Sequence, residues 1–408
     1  MRNDFFEELK WRGLLFQATE NSEEVFRRPT TFYWGIDLTA SSLHLGHLLG
    51  LLMMKRAVKF GHKPIILAAS GTTMVGDPSG KEKERPVLSR QEIEKNKKSI
   101  KRQIQKILRG EKFLLLDNHD WLGKLKLLEF LRDAGKHITL NSMLDKESVK
   151  TRLGRESGIS FAEFSYQLLQ AYDFLYLFEK RGCQAQVAGS DQWGNMVQGV
   201  DLIRKKLAKQ AAALSWPLIE DPQTGKKFGK SAVGKTIWLD PEKTHPFEFY
   251  QFFVGIEDSL APRLAKYFSF KNQIETLALE KKWQEKKEGR KLQKELAFEM
   301  TVLVHGKLVA EEAKKVSELV YDKAKDENLD LKDIEFVKTA LPYAKTAKKP
   351  GELTLEEGLY ITGLTSSMTA SRYLVQQNGA TGKILFKRFF WIRKGKRDVA
   401  IVEFLEQR

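Results

Sequence analysis

A chain of 408 residues is long for a single domain and predicts two or three folded units. Its 69 lysine and arginine residues exceed its 53 aspartate and glutamate residues. The resulting net charge of +16 favours a polyanionic partner such as nucleic acid or an anionic membrane. No apolar run reaches the roughly 18 residues that a membrane-spanning helix needs, so we expect no span of a bilayer.

The single cysteine, Cys183, excludes an internal disulfide and any zinc cluster built from cysteines. A chain with so little cysteine suits a reducing compartment. Signal and transit peptides avoid acidic side chains, whereas the first twenty residues contain Asp4, Glu7, Glu8 and Glu20. We therefore expect a cytoplasmic protein without an export or organelle signal.

Residues 30 to about 240 alternate between short β-rich runs and helical patterns. Strands are predicted over residues 31–36, 64–69, 113–116 and 185–188. Helices are predicted over residues 43–60, 92–108 and 163–180. Strands that alternate with helices indicate a parallel, Rossmann-like α/β sheet with its binding sites at the strand ends.

The chain changes character twice after this region, and we divide it accordingly. Residues 1–240 form the Rossmann-like domain, and residues 241–343, rich in Lys, Glu, Leu and Ala at helical spacing, form a helical domain. Residues 344–351 are small and basic and end in Pro-Gly, which is typical of a linker. Residues 352–408 form a small α+β unit, in which residues 365–408 hold nine Lys or Arg against three Asp or Glu.

The first motif that can handle phosphate reads His44-Leu45-Gly46-His47. Ser41 or Ser42 can cap a helix that begins at Leu43, and the positive end of that helix favours a phosphate chain. Each histidine can donate a hydrogen bond to phosphate, and Gly46 leaves room for a base or ribose. The alternative is a buried helix start whose histidines serve the fold alone.

The second motif is a lysine-rich loop that reads Lys226-Lys227-Phe228-Gly229-Lys230-Ser231. Lysines on a glycine-hinged loop can close over a triphosphate and neutralise charge as pyrophosphate leaves. A solvated basic loop is the alternative for this motif by itself. The two motifs occur in this order about 180 residues apart, at opposite ends of the α/β region, and the pair is far more specific than either member.

A glycine-rich stretch at residues 76–81 resembles a phosphate cradle, but it lacks the spacing of a P-loop because residue 82 is Glu82. We therefore exclude a P-loop NTPase. Lys81 and Arg85 can still reach pyrophosphate from a mobile loop.

Two further stretches predict a pocket for an amino acid. Tyr166, Gln170 and Asp173 are spaced by four and three residues and share one helix face. Tyr166 and Gln170 can accept from an ammonium group, and Asp173 can accept from a phenol. Asp191 suits ribose hydroxyls, and Gln192 can donate to a carboxylate. The alternatives are a solvent-facing polar helix face and a helix cap at Asp191.

The paired motifs resemble the signature pair of class I aminoacyl-tRNA synthetases. Five further stretches extend the resemblance over nearly the whole chain, to bacterial-type tyrosyl-tRNA synthetases: residues 33–37, 164–174, 189–195, 236–240 and 249–252. The terminal unit is similar to an S4 RNA-binding domain, with a helix at 369–372 and a turn at 379–383 as looser matches.

This resemblance implies a tyrosine–tRNA ligase that activates tyrosine with ATP and Mg²⁺ and then transfers it to the 3′-terminal adenosine of tRNA(Tyr). It also implies a homodimer. The implied tyrosine-binding residues are Tyr33 and Asp173 at the phenol, Tyr166, Gln170 and Asp77 at the ammonium, and Gln192 at the carboxylate. The implied ATP-binding residues are Gly35, Asp37, Gly46, His47, Asp191 and Lys230. The implied catalytic residues are Thr39, His44 and His47, with Lys81, Arg85, Lys227 and Lys230 as a mobile pyrophosphate clamp.

The chain departs from the family at two positions. Trp34 stands where the family commonly has a cysteine that contacts ribose, and Leu38 replaces a common proline. Three alternative functions are a tryptophanyl-tRNA synthetase, a non-catalytic RNA-binding paralogue and a generic nucleotidyltransferase. Tyr33 with Asp173 favours a phenol substrate over the first and third, and the intact histidine and lysine motifs favour an enzyme over the second.

Overall fold

The computed structural model describes residues 4–78, 88–154, 158–219, 229, 235–321, 329–395 and 398–405, and for residues 147 and 148 it describes the backbone alone. The chain divides into two compact units. The first consists of Met1–Thr244 and Phe252–Met300, and the second of His245–Gln251 and Thr301–Arg408.

The first unit is built on a six-stranded sheet. Its strands are β1 (Gln17–Ala18), β2 (Thr31–Ile36), β3 (Lys63–Ala68), β4 (Leu114–Asp117), β5 (Ala185–Gly189) and β6 (Ala212–Trp216). The order across the sheet is β1-β6-β5-β2-β3-β4, and every pairing is parallel except that of β1 with β6. The predicted parallel α/β sheet is thereby confirmed, with strand bounds within about two residues of those expected.

The strand order reverses between β2 and β5. From β2 the chain moves outward through β3 to β4, whereas β5 returns to the other side of β2 and leads to β6. Ligands of such sheets bind in the crevice at the carboxyl ends of the strands where the order reverses. The position of Tyr33 in β2, opposite Ile65 of β3 and Gln186 of β5, therefore places the candidate site at this crevice.

Helices cover the sheet of the first unit, and two of the helices named here, Pro246–Val254 and Lys291–His305, also extend into residues of the second unit. In chain order they are Phe5–Arg12, Ser22–Phe26, Leu45–Lys59, Ser70–Thr73, Arg90–Ile107, His119–Leu122, Leu127–Asp133, Leu140–Leu144, Glu147–Leu153, Phe161–Arg181, Trp193–Leu207, Pro246–Val254, Ala261–Phe268, Gln273–Glu285 and Lys291–His305. Short 3₁₀ turns lie at Gly135–His137, Ser190–Gln192 and Lys287–Gly289.

The helix Phe161–Arg181 carries three of the predicted site residues, and its ends are well defined. Ser160 caps its first turn by accepting from the backbone N–H of Glu163. Gly182 ends it at φ +62°, a backbone conformation that glycine adopts without the clash of a Cβ atom.

The second unit is a four-stranded sheet with helices. Its strands are β7 (Tyr343–Thr346), β8 (Ala380–Leu385), β9 (Phe389–Lys394) and β10 (Asp398–Phe404), in the order β7-β10-β9-β8. Its helices are Lys307–Tyr321, Leu331–Val337, Leu355–Ile361 and Met368–Gln376. Phe247, Val316, Phe389, Trp391 and Ile401 belong to one buried cluster on this sheet.

Two predictions about the terminal region are wrong. The predicted linker at 344–351 begins inside β7, because residues 343–346 pair in parallel with β10. The predicted turn at 379–383 is mostly strand, because β8 pairs with β9 from Ala380 onward. In both places the long-range backbone partner decides the conformation, and local composition does not reveal that partner.

The predicted helical domain at 241–343 is also divided differently, because its two halves pack in different units. In the first unit, Arg12 donates to the backbone carbonyls of Ser269 and Lys271, and Arg56 donates to Ser269. Phe247 instead packs in the core of the second unit. The boundary therefore follows these contacts and not the change in composition near residue 241.

Candidate active site

The histidine motif lies at the start of the helix Leu45–Lys59, but its capping differs from the prediction. His44 itself caps the helix, because its Nδ1 accepts from Gly46 N–H at 3.1 Å. His47 Nδ1 accepts from the backbone N–H of His44 at 3.3 Å. The serine caps predicted at Ser41 and Ser42 are therefore wrong. Ser42 Oγ instead accepts from the backbone N–H of Asp240, 198 residues later.

These bonds determine where each imidazole carries its proton. A ring nitrogen that accepts a hydrogen bond has no proton, so a neutral ring bonded in this way carries its proton on Nε2. The two rings lie 3.9 Å apart between centroids and are tilted by 33° to each other. His44 and His47 can therefore offer Nε2–H donors to an anion at this helix start, where the helix dipole also favours negative charge.

Gly229, from the second signature motif, lies close to the first motif in the structure although the two are distant in sequence. Leu45 donates its backbone N–H to Ile237 at 3.3 Å, and Leu239 donates to Leu43 at 2.8 Å. Gly229 is the described residue of the lysine loop, and its carbonyl accepts from Ile237 N–H at 2.9 Å. A Cβ on Gly229 would lie 3.4 Å from that of Leu45, and its φ of +104° favours glycine. Gly229 therefore lies directly beside the start of the histidine helix.

The four cationic residues of the expected clamp are not among the described residues. They are Lys81, Arg85, Lys227 and Lys230. Their roles stay predictions from the sequence.

Asp173 lies buried at the floor of the crevice beside Tyr33. Its two carboxylate oxygens accept from Trp121 Nε1 at 2.7 Å and from Asn118 Nδ2 at 3.0 Å. Burial raises the pKa of Asp173 to about 7, against the lowering effect of these two hydrogen bonds. Burial, together with the charge of Asp173, also raises the pKa of the Tyr33 hydroxyl well above its usual value.

The Tyr33 hydroxyl has no hydrogen-bond partner among the described residues, although it is buried. A buried hydroxyl without a partner costs free energy, and native proteins seldom leave one. A ligand hydroxyl placed between Tyr33 and Asp173 would satisfy both. Tyr33 and Asp173, which the sequence predicted to bind a phenol, can therefore both form a hydrogen bond with a ligand hydroxyl.

Asn118 and Trp121 are site residues that the sequence analysis missed. Asn118 is fully buried, and its Oδ1 accepts from Gly71 N–H at 2.7 Å while its Nδ2 also donates to Thr72 at 3.1 Å. These bonds fix the orientation of the amide that faces Asp173. A signal was present, since Asn118 directly follows β4 at the edge of the sheet where sites of this fold occur.

A second group of side chains forms a polar network further along the crevice. Gln192 Nε2 donates to Asp77 Oδ2 at 2.7 Å. Asn195 Nδ2 lies 3.2 Å from Gln192 Oε1 and 3.3 Å from Gln170 Oε1. The structure therefore brings together Asp77, Gln170 and Gln192, which the sequence predicted from separate stretches, and adds Asn195.

Tyr166 connects this network to the nucleotide side of the crevice. Its hydroxyl donates to Asp37 Oδ1 at 3.1 Å. Burial raises the pKa of Tyr166 well above its usual value, and the charges of Asp37 and Asp77 raise it further. The hydroxyl consequently stays protonated, with Asp37 as an acceptor.

The residues predicted to contact adenosine lie around β2 and β5. A Cβ on Gly35 would meet no described atom within 4 Å, so the backbone of β2 faces open space there. Asp191 Oδ1 would lie only 2.9 Å from a Cβ on Gly189, which shows that its side chain folds over the end of β5. Thr39 is exposed on the segment between β2 and His44.

Trp34 points to the opposite side of β2 from Tyr33. Its indole packs edge-on against Trp216, with ring centroids 6.0 Å apart, and lies 6.5 Å from the His47 ring. A Cβ on Gly50 would collide with it, at 2.5 Å from Cη2 and 2.8 Å from Cε2. The indole is therefore a buried wedge between β2 and the histidine helix, and Gly50 provides the space for it.

The arrangement holds polar side chains for an amino acid at one end and an anion-binding helix start at the other. No described helix combines the length and the apolar character that crossing a membrane requires.

Comparison with known proteins agrees with this geometry. Residues 26–322 match the family of tRNA synthetases class I (W and Y). The tyrosine–tRNA ligase of Geobacillus stearothermophilus is 41% identical over 98% of this chain and 100% of its own length. That of Roseiflexus castenholzii is 40% identical over 91% and 89%, respectively.

Solved structures show the same fold. A C-terminally truncated mitochondrial tyrosyl-tRNA synthetase of Aspergillus nidulans is 31% identical, with a TM-score of 0.70 over 77% of this chain and 93% of that one. The tryptophanyl-tRNA synthetase of Plasmodium falciparum, at 16% identity and a TM-score of 0.54, covers 81% of this chain and 87% of its own, and shares the fold alone. The chain therefore belongs to the class I tRNA synthetases, in the family of the tyrosine–tRNA ligases.

Proposed function

We propose that this chain joins tyrosine to ATP, releases pyrophosphate, and transfers the tyrosyl group to the 3′-terminal adenosine of tRNA(Tyr). The observation that carries the choice of tyrosine is the buried Asp173 beside the unpartnered hydroxyl of Tyr33. The contact between Gly229 and Leu45 supports ATP as the second substrate, because it joins the two phosphate-handling motifs.

In the first step the tyrosine carboxylate attacks the α-phosphate of MgATP, and the bond to the pyrophosphate oxygen breaks. No protein nucleophile is needed, so the protein contributes positioning and charge stabilisation. The polar network suits the amino-acid end of tyrosine: Asp77, Tyr166 and Gln170 for the ammonium, and Gln192 for the carboxylate. The Gln192–Asp77 bond orients the amide before the substrate arrives.

At the nucleotide end, His44 and His47 donate through Nε2 to the phosphate chain, and Thr39 stands on the adjoining segment. Gly35, Asp37, Gly46 and Asp191 suit the adenosine. The clamp of Lys81, Arg85, Lys227 and Lys230 remains a prediction from the two motifs. Mg²⁺ enters with ATP as part of the substrate.

ATP–pyrophosphate exchange with each of the twenty amino acids tests the proposal. We expect exchange with tyrosine alone, followed by tyrosylation of a tRNA(Tyr) transcript. Exchange with tryptophan in place of tyrosine would overturn the choice of substrate. Tight binding of RNA with no exchange for any amino acid would identify a non-catalytic paralogue instead.

We also propose a homodimer, on the strength of exposed apolar side chains between residues 127 and 161. Leu127, Leu128 and Phe161 are 70%, 80% and 82% exposed. Exposed apolar groups that cluster in one stretch are typical of protein interfaces.

Replacing Phe161 with aspartate is expected to raise the dimer dissociation constant at least about 100-fold, because a two-fold interface loses the side chain twice. Aspartate suits the first turn of the helix Phe161–Arg181, so the fold is retained. Sedimentation measures the mass of the protein in solution and so distinguishes dimer from monomer. Ile274→Asp is the matched control, because Ile274 is 81% exposed in the first turn of another helix. An equal effect of both substitutions would contradict the proposed interface.

The second unit, with its basic S4-like residues 352–408, is proposed to bind tRNA, and the cytoplasm remains the compartment that composition predicts. We therefore propose that the first compact unit is the catalytic part and that the second is the RNA-binding part.

A further inference from the structure

A stripe of four basic side chains runs along the outward face of the helix Arg90–Ile107. We call Lys95, Lys98, Arg102 and Lys106 the basic stripe. They are spaced by three, four and four residues, and all are exposed. Ile93, Asn96, Ile100, Ile104 and Ile107 form the buried face on the other side. The stripe therefore presents about one positive charge per helical turn of 5.4 Å.

The basic stripe has no acidic partner within ion-pair distance in the part of the chain that the structure describes. Other helices pair their basic residues with acids one turn away, as in Lys10 with Glu7 and Lys205 with Asp201. Here each of Lys98, Arg102 and Lys106 is instead four residues from the next, and like charges at that spacing destabilise a helix. A face that serves only solubility would mix the signs, so this one suits an external polyanion.

The buried side of the same helix is fixed to the segment that leads into the histidine motif. Asn96 Nδ2 donates to the carbonyl of Leu38 at 2.8 Å, and Gln103 Oε1 accepts from Leu43 N–H at 3.0 Å. Lys97 pairs with Asp117 at the end of β4 at 2.8 Å. The basic stripe therefore lies about one helix diameter, 10–12 Å, from the segment 38–44 beside the nucleotide site.

We infer that the basic stripe binds the sugar–phosphate backbone of the tRNA close to the end that enters the active site. This inference rests on the proposed function, because the polyanion whose end must reach the nucleotide site is the tRNA. Lysine and arginine on a smooth helix face recognise phosphate and not base edges, so the contact adds affinity without sequence preference.

The test compares two variants of the full-length protein with equal loss of charge. The first replaces the basic stripe with Lys95→Gln, Lys98→Gln, Arg102→Gln and Lys106→Gln. The control carries Lys180→Gln, Arg181→Gln, Lys281→Gln and Lys282→Gln, which are exposed and have no ion pair among the described residues. Glutamine forms helices well, so both variants should fold.

Binding of a tRNA(Tyr) transcript is measured between 50 and 200 mM salt, with ATP–pyrophosphate exchange without tRNA as a second readout. For the stripe variant we expect the slope of log affinity against log salt to fall by about 3, and affinity at 50 mM salt to fall more than about tenfold beyond the control. Exchange should be unchanged. Equal loss of tRNA affinity in both variants would overturn the inference. So would a loss of exchange in the stripe variant as large as its loss of tRNA affinity, because that would place ATP on the stripe.

Failure of this inference is distinguishable from failure of the proposed function. If the wild-type protein neither exchanges nor tyrosylates, the proposed function is wrong. If it does both and the stripe variant binds tRNA as the control does, only the basic stripe is wrong.

Discussion

Asp173→Asn is expected to lower kcat/KM for tyrosine in ATP–pyrophosphate exchange roughly 100-fold, equivalent to about 3 kcal/mol. The carboxylate can accept a hydrogen bond from the substrate phenol while Trp121 and Asn118 occupy its other lone pairs. An asparagine has a single acceptor oxygen, and its NH₂ group opposes the donors already present. The variant therefore loses the charge-assisted acceptor that the phenol requires.

The same substitution should change phenylalanine activation little, because phenylalanine has no hydroxyl to bind. Selectivity for tyrosine over phenylalanine therefore falls with the tyrosine rate. Asp120→Asn, an exposed position in the same region, is the control and should match the wild type. If Asp173→Asn keeps its preference for tyrosine, Asp173 does not bind the phenol.

Asp173 also makes stability depend on pH in an unusual direction. Its pKa is raised from 3.8 to about 7 by burial, so the folded state holds its proton more tightly than the unfolded state does. The stabilisation that Asp173 contributes to the fold is fully present below about pH 4, and it is lost as the pH rises through about 7. Between pH 5 and that value lie roughly 2 units, which correspond to about 3 kcal/mol at 1.36 kcal/mol per unit.

Denaturant unfolding at pH 5 and pH 8 measures this effect. From pH 5 to pH 8, the free energy of unfolding of the wild type should fall by about 3 kcal/mol more than the free energy of unfolding of Asp173→Asn, whose side chain does not titrate. Comparing the change between the two pH values removes the constant cost of the altered hydrogen bonds. Parallel pH profiles would show that Asp173 is already ionised in the folded protein at pH 5.

Sequence and structure agree where the chemistry depends on residue type and order. The histidine motif at a helix start and the helix with Tyr166 and Asp173 could be predicted, because each is a local pattern, whereas the lysine loop stays a prediction apart from Gly229. That Gly229 lies against Leu45 could only be expected by analogy, since nothing in either stretch encodes their contact.

The failures share a physical cause. Ser42 was predicted to cap a helix, but its hydroxyl instead accepts from Asp240, and His44 takes the cap. Asn118 and Trp121 matter only because the end of β4 meets the helix Phe161–Arg181. In each case a competitor or partner distant in the chain decides the outcome, and local propensity carries no information about it.

Trp34 and Gly50 should be energetically coupled, and Gly50→Ala reveals it. Alanine normally stabilises a helix interior by about 1 kcal/mol over glycine. Here its Cβ would meet the indole of Trp34, which is 5% exposed and packed between Trp216 and His47. Overpacking of this kind costs roughly 1–3 kcal/mol and would displace the histidine helix, so we expect KM for ATP to rise about tenfold or more.

Tyrosine binding should be spared, because Tyr33 lies on the other face of β2, with its ring 5.4 Å from that of Phe174. The measurement is ATP–pyrophosphate exchange with ATP and tyrosine varied separately. Gly289→Ala is the control, since a Cβ there meets no described atom within 4 Å. A rise in KM for tyrosine equal to that for ATP would indicate general damage to the sheet.

The decisive variant is the double substitution Trp34→Ala with Gly50→Ala. Removing the indole opens the space that the added methyl group needs, so the penalty of Gly50→Ala should shrink in this background, with a coupling of at least about 1 kcal/mol. If the two substitutions are additive, the indole does not set the position of the helix. Coupling would show that this chain holds His44 and His47 in place with the indole of Trp34, packed between β2 and the histidine helix.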